Sequence, residues 1–129
     1  MGSVKRAHMR AAMAGGVVVA DVSGLVTLDV VRSIRDDLAP FTRGAGAILL
    51  DYRQSAIALT DGDLFSLCPP SSALDVPTVW VVSSAEVAEQ WRRQALRFAL
   101  VGRRRFVCLD RGEALAWAGH QARLKPASV

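Results

Sequence analysis

The sequence predicts one α/β domain, a mixed and mainly parallel sheet of about five strands flanked by about four helices. Three observations predict it. The run Ala47-Ile48-Leu49-Leu50-Asp51-Tyr52-Arg53 is apolar until it ends in charge, as a strand buried on both faces does. Strand-like and helix-like segments alternate along the chain, which implies parallel neighbours joined by crossovers. Residues suited to helix capping stand at several of the joints. The 129 residues fit one domain spanning 1–129, long enough to bury a core without metal or disulfides.

Residues 1–6 read as a disordered tail or a cloning remnant. Ala7 to Met13 alternates weakly, as a first strand would. Ala14-Gly15-Gly16 supplies a tight turn, and Val17 to Val22 forms a second strand closed by Ser23-Gly24, completing an N-terminal hairpin. Thr27 is placed to cap a helix whose apolar residues Leu28, Val31, Ile34 and Leu38 follow at helical spacing. Pro40 stops it.

The central strand follows, and Gly44 and Gly46 precede it. Thr60-Asp61-Gly62-Asp63 opens a short helix through Leu67, with its acids against the positive end of the dipole. Pro69-Pro70-Ser71-Ser72 is a loop. Val76 to Val82 is the next strand. Ser83 and Glu86 have capping-box spacing, and the helix they open carries Val87, Trp91, Ala95 and Phe98 on one side until Gly102. Phe106 to Leu109 is the last strand. Asp110 and Glu113 repeat the capping spacing ahead of a helix holding Leu115, Trp117 and Ala118, which fades near Lys125-Pro126. If the crossovers all step the same way, their helices share one face. The other apolar face then needs cover from the N-terminal segment or a second copy, so a homodimer is expected.

The composition, 51% hydrophobic and 22% charged, is that of a globular chain. No apolar run approaches the roughly 20 residues needed to cross a bilayer, and the first residues lack the apolar core of a signal peptide. Of the two cysteines, Cys108 fits a core position and Cys68 stands beside Pro69. A cytoplasmic, reduced location is expected. The formal net charge of +4 is mild and names no partner. There is no nucleophile elbow, P-loop, Cys-x-x-Cys or dinucleotide-binding glycine pattern, so neither a catalytic residue nor a cofactor is assigned. His8 and His120 lie far apart and read as surface residues rather than metal ligands. Trp80, Trp91 and Trp117 sit in apolar segments and read as core.

The layout, with particular residues at its joints, resembles the SpoIIAA-like family of small domains, which includes STAS and Sec14-related members. The matching features are Val22-Ser23-Gly24 with Thr27 opening a helix, Leu49-Leu50-Asp51-Tyr52-Arg53 with Thr60-Asp61 following, and Phe106 to Asp110 leading into Glu113-Ala114-Leu115-Ala116-Trp117. The resemblance covers nearly the whole domain and implies a sequential mixed sheet. It also implies a non-enzymatic domain that binds a protein partner, with a regulatory role. In the family's anti-sigma-factor antagonists a serine at the start of the helix after the central strand is phosphorylated. Here that segment is Thr60-Asp61-Gly62-Asp63, which holds no serine and places fixed carboxylates at that position. The Sec14-related branch implies an alternative, a carrier or sensor of a small apolar ligand or lipid, with residues 68–76 as a lid.

Candidate contact residues follow from position. Strand ends carry sites in α/β folds, which selects Asp51 and Arg53, and with them Ser83 and Asp110 beside helix N-termini. Thr60 and Asp61 join them from the resemblance. Arg92, Arg93, Arg97, Arg103, Arg104 and Arg105 form the densest charge cluster, a candidate basic patch. No aromatic platform is interleaved with it, so nucleic acid is the weaker choice of partner.

Overall fold

The computed structural model describes residues 7–42, 44–67 and 76–124. Their elements are β1 (His8–Ala14), β2 (Val17–Val26), α1 (Leu28–Thr42), β3 (Ala47–Ile57), α2 (Asp61–Ser66), β4 (Thr78–Val81), α3 (Ala85–Leu100), β5 (Arg105–Cys108) and α4 (Arg111–Leu124). The strands pair in sequence order, β1-β2-β3-β4-β5. β1 is antiparallel to β2 and every other pair is parallel. This is the α/β architecture expected, with five strands, four helices and β3 in the middle. The expectations for residues 1–6, Cys68, the 69–72 loop, the 68–76 lid and the 125–126 helix end lie wholly or largely outside the described residues.

Local chemistry explains most joints. Gly15 and Gly16 both take positive φ, 59° and 79°, as a two-residue hairpin turn of this kind needs. Thr60 Oγ1 accepts from the Asp63 N–H while the Asp63 carboxylate accepts from the Thr60 N–H, a full capping box. Asp110 Oδ2 accepts from the Glu113 N–H at 2.8 Å.

Several boundaries differ from expectation. β3 does not end at Arg53 but runs on to Ile57, so Asp51 and Arg53 stand inside the strand and not at its end; the strand-end position belongs to their neighbours Val81 of β4 and Cys108 of β5. β2 does not close at Ser23-Gly24 but runs on to Val26, because residues 23–26 pair with Gln54 to Ile57 of β3. The partner strand supplies the hydrogen bonds that local pattern cannot show. α1 runs through Pro40 to Thr42; a proline this near the exposed end forfeits little of the ladder. The cap of α3 is Ser84, not Ser83, its side chain accepting from the Val87 N–H. Val82 is still held extended by its bond to Cys108 O, which moves the helix start on by one residue.

The sheet has two covered faces. Val18, Ala20, Val22, Ile48, Leu50 and Tyr52 point into a core closed by Ile34 and Leu38 of α1, Leu64 of α2, and Ala88 and Trp91 of α3. Alternate residues Val17, Ala47, Leu49, Val79 and Val81 pack instead on Ala114 and Ala118 of α4. The ground for expecting a second copy is thereby removed. The last helix follows the last strand and is no crossover, so it is free to take the second face itself.

α4 lies close to the sheet because its contacts are small. At Gly46, an added Cβ would come within 2.7 Å of the Ala122 Cα, and the Gly46 N–H also donates to Gly16 O at 2.7 Å. Neither backbone can yield cheaply. Gly46→Ala is therefore expected to destabilise the domain by about 1–3 kcal/mol, read as a lower urea midpoint with an unchanged m-value; wild-type stability would contradict this packing.

Candidate functional site

The site is built on two aspartates. Asp21 of β2 and Asp51 of β3 are register partners in the parallel pair. Strand alternation turns both toward the α4 side. Like charges placed side by side across strands repel. Arg111, the first residue of α4, resolves this: its Nη1 donates to Asp21 Oδ1 at 2.5 Å and to Asp51 Oδ2 at 2.7 Å. A cation at a helix N-terminus works against the macrodipole. The two carboxylates offset that cost.

Arg53 completes the cluster. Its Nε lies 3.0 Å and 3.1 Å from the two Asp51 oxygens, and its Nη2 2.9 Å from Oδ2. The register shifts between Asp21 and Ser23, so β3 spends an extra residue beside Val22. Asp51 Oδ1 accepts from the Arg53 backbone N–H there, at 3.0 Å. Bulges commonly re-aim side chains beside sites, and this one folds Arg53 back onto Asp51.

Asp51 is only 5% exposed. Burial alone would raise its carboxyl, but hydrogen bonds from the Arg53 side chain and backbone and from Arg111 outweigh this and hold it below the usual carboxylate range. Arg53 is pushed up by its bond to Asp51, and Arg111 by its bonds to Asp21 and Asp51. Nearby, burial pushes the Cys108 thiol up. Its Sγ donates to Asp110 O at 3.3 Å, so Cys108 is the small core residue expected.

The other candidate residues divide. Asp110 caps α4 next to Arg111, and its charge also acts on Arg53. Ser83 is exposed two residues beyond Val81, which pairs with Asp51; it shares the carboxyl end of the sheet. Thr60 and Asp61 sit at the start of α2, where Thr60 is occupied as a cap and Asp61 lies 3.8 Å from Arg93.

The six arginines do not form one patch. Arg103 is only 2% exposed and belongs to the interior. Arg97 stacks over Phe65 and Arg105 over Phe98, and Arg104 donates to Gln121. Arg92 and Arg93 remain exposed on α3. An apolar helix face and a turn that buries Arg103 separate charges that adjoin in sequence. His8 and His120 are exposed, and among the described residues no three His, Cys, Asp or Glu side chains converge as a metal site requires. Among the same residues, no helix is long and apolar enough to cross a membrane.

Sequence reading missed Asp21 and Arg111. A signal existed for each: Asp21 is the one charge inside an apolar strand, and Arg111 stands where a helix dipole disfavours it.

No protein-family model matches the chain, and no curated protein matches it. Among solved structures it is similar to an antisigma-factor antagonist STAS domain from Rhodobacter sphaeroides, at 13% identity, with 87% of this chain and 95% of that one covered and a TM-score of 0.34. The site is accordingly read from its own geometry.

Removing the bridge tests that geometry. Arg111→Met leaves the two carboxylates facing each other and is expected to cost about 1–3 kcal/mol at neutral pH. Adding Asp21→Asn should restore part of the loss; strict additivity would contradict the shared bridge. Acid should act through Asp51. Its folded pKa is depressed, so its contribution is complete above the unfolded value of about 3.9 and fades as pH falls through the lower folded value. Asp51→Asn should flatten this acid limb of the stability profile in urea titrations.

Proposed function

We propose that this chain is a non-enzymatic protein-interaction domain with a regulatory role, contacting its partner through the middle of β2 and β3, level with the carboxyl ends of β4 and β5, and the start of α4. One observation carries the reading. The Asp21–Arg111–Asp51–Arg53 cluster is a set of charges held in place by one another, in which Asp51 is pushed down and both arginines up. General acid–base work needs a group poised near the operating pH; these three are driven away from it. What they offer is a rigid pattern of both signs, with Arg53 and Asp21 side chains 39% and 54% exposed. Patterned charge of this kind sets partner choice and association rate.

The resemblance to SpoIIAA-like domains supports the same reading. Asp61 and Asp63 keep the start of α2 negative without phosphate, and the hydroxyl of Thr60 is engaged in its cap, so partner binding here is constitutive at that position. Asp110 and Ser83 widen the contact surface.

The test is a charge reversal. A partner recovered by crosslinking in source cells and then purified should bind wild-type protein with an affinity that falls as salt rises. Arg53→Glu should weaken binding at least about tenfold by removing a charge-assisted contact, with the fold retained by circular dichroism. Unchanged affinity in Arg53→Glu and in Asp21→Lys would sink the proposal. So would a turnover that disappears in folded Asp51→Asn.

A further inference from the structure

A second feature lies at the other end of the sheet. A cavity of about 320 Å³ opens between α1, α3 and the strands, bordered by Val76 and Thr78 at the start of β4 and Arg105 at the start of β5. Its walls are mainly apolar, with Ile34, Leu38, Leu50, Trp80 and Phe98. The volume falls at the low end of the roughly 300–1,000 Å³ usual for small-molecule sites.

Two polar features distinguish it from a packing gap. Gln94 lies on the buried side of α3, lines the cavity and is 2% exposed, yet its Oε1 has no hydrogen-bond partner among the described residues. Buried acceptors are rarely left unmet. Arg35 of α1 also lines the cavity and is exposed at its outer side. Its Nη2 donates to Leu67 O at 2.7 Å, which spends one of a guanidinium's five N–H donors. Arg103 and Arg105, each with interactions of its own, add positive charge to the same wall.

We propose that this cavity binds a small amphipathic carboxylic acid. The apolar chain occupies the space between Ile34, Leu38, Leu50 and Trp80. The carboxylate pairs with Arg35 at the mouth, where a bidentate guanidinium contact is strongest. A hydroxyl farther along the chain donates to Gln94, whose amide can turn about its broad terminal torsion. The capacity suits one short chain rather than a two-chain lipid. This site deepens the apolar-ligand alternative and is independent of the interaction surface around Asp51.

The probes are decanoate, decanol and 10-hydroxydecanoate, followed by titration calorimetry and by Trp fluorescence, since Trp80 lines the cavity. Decanoate is expected to bind saturably at one site per chain. Arg35→Ala should weaken it about tenfold, as loss of a charge-assisted bond does, and decanol should bind wild-type protein about as weakly. Val31→Trp, which fills the mouth from a half-buried position on α1, should abolish binding with thermal stability retained. The hydroxy acid should bind at least as tightly as decanoate, and Gln94→Leu should reverse that order. Arg53→Glu should leave all of this unchanged. Absence of saturable binding by either acid would overturn the proposal. So would decanol binding as tightly as decanoate, or Arg35→Ala and Val31→Trp both binding like wild type.

Discussion

Strand β3 must be covered twice. Leu49 is fully buried on one face and Leu50 nearly so on the other, and each fully buried leucine is worth about 1.5–3 kcal/mol over an exposed one. Neither face can be left wet. Three helices that connect successive strands close the first face, and α4 closes the second. The chain thus completes both layers by itself, and the sheet's interior strands need no neighbouring molecule.

How α4 is held decides what the protein presents to its surroundings. Its inner contacts are alanines, and Gly46 lets its later turns approach the sheet closely. Its first residue, Arg111, ties it to β2 and β3 through two carboxylates. The same ion pairs that dock the helix therefore make the charged surface beside the ends of β4 and β5. Under the proposed function, structure and recognition share one set of atoms. The opposite end of the sheet differs in kind: there the walls are apolar and the polar groups Gln94 and Arg35 face a cavity. One small domain thus carries a charged cluster level with the carboxyl ends of β4 and β5 and an open, mainly apolar cavity near their amino ends.

Much of this was legible beforehand. The uninterrupted Ala47–Leu50 run located β3, helical spacing located α1 and α3, and glycine chemistry located the hairpin turn. Asp51 and Arg53 were found because charge at the end of an apolar run is a local signal. Asp21 and Arg111 were not, since their meaning lies in each other: they stand 90 positions apart and meet at one oxygen. The arginine cluster misled for the converse reason. Adjacency in sequence put six cations together, while the turn after α3 buried Arg103 and turned Arg105 onto Phe98.

The sequence by itself determined the order of elements, the fold class and the double burial of the central strand, because these follow from periodicities of two and 3.6 residues and from capping and turn chemistry that act over a few positions. Only the tertiary structure decided which face α4 would take, which serine would cap α3, and which charges would meet. Those outcomes depend on hydrogen bonds and contacts between segments remote along the chain, and no local pattern encodes a distance between them.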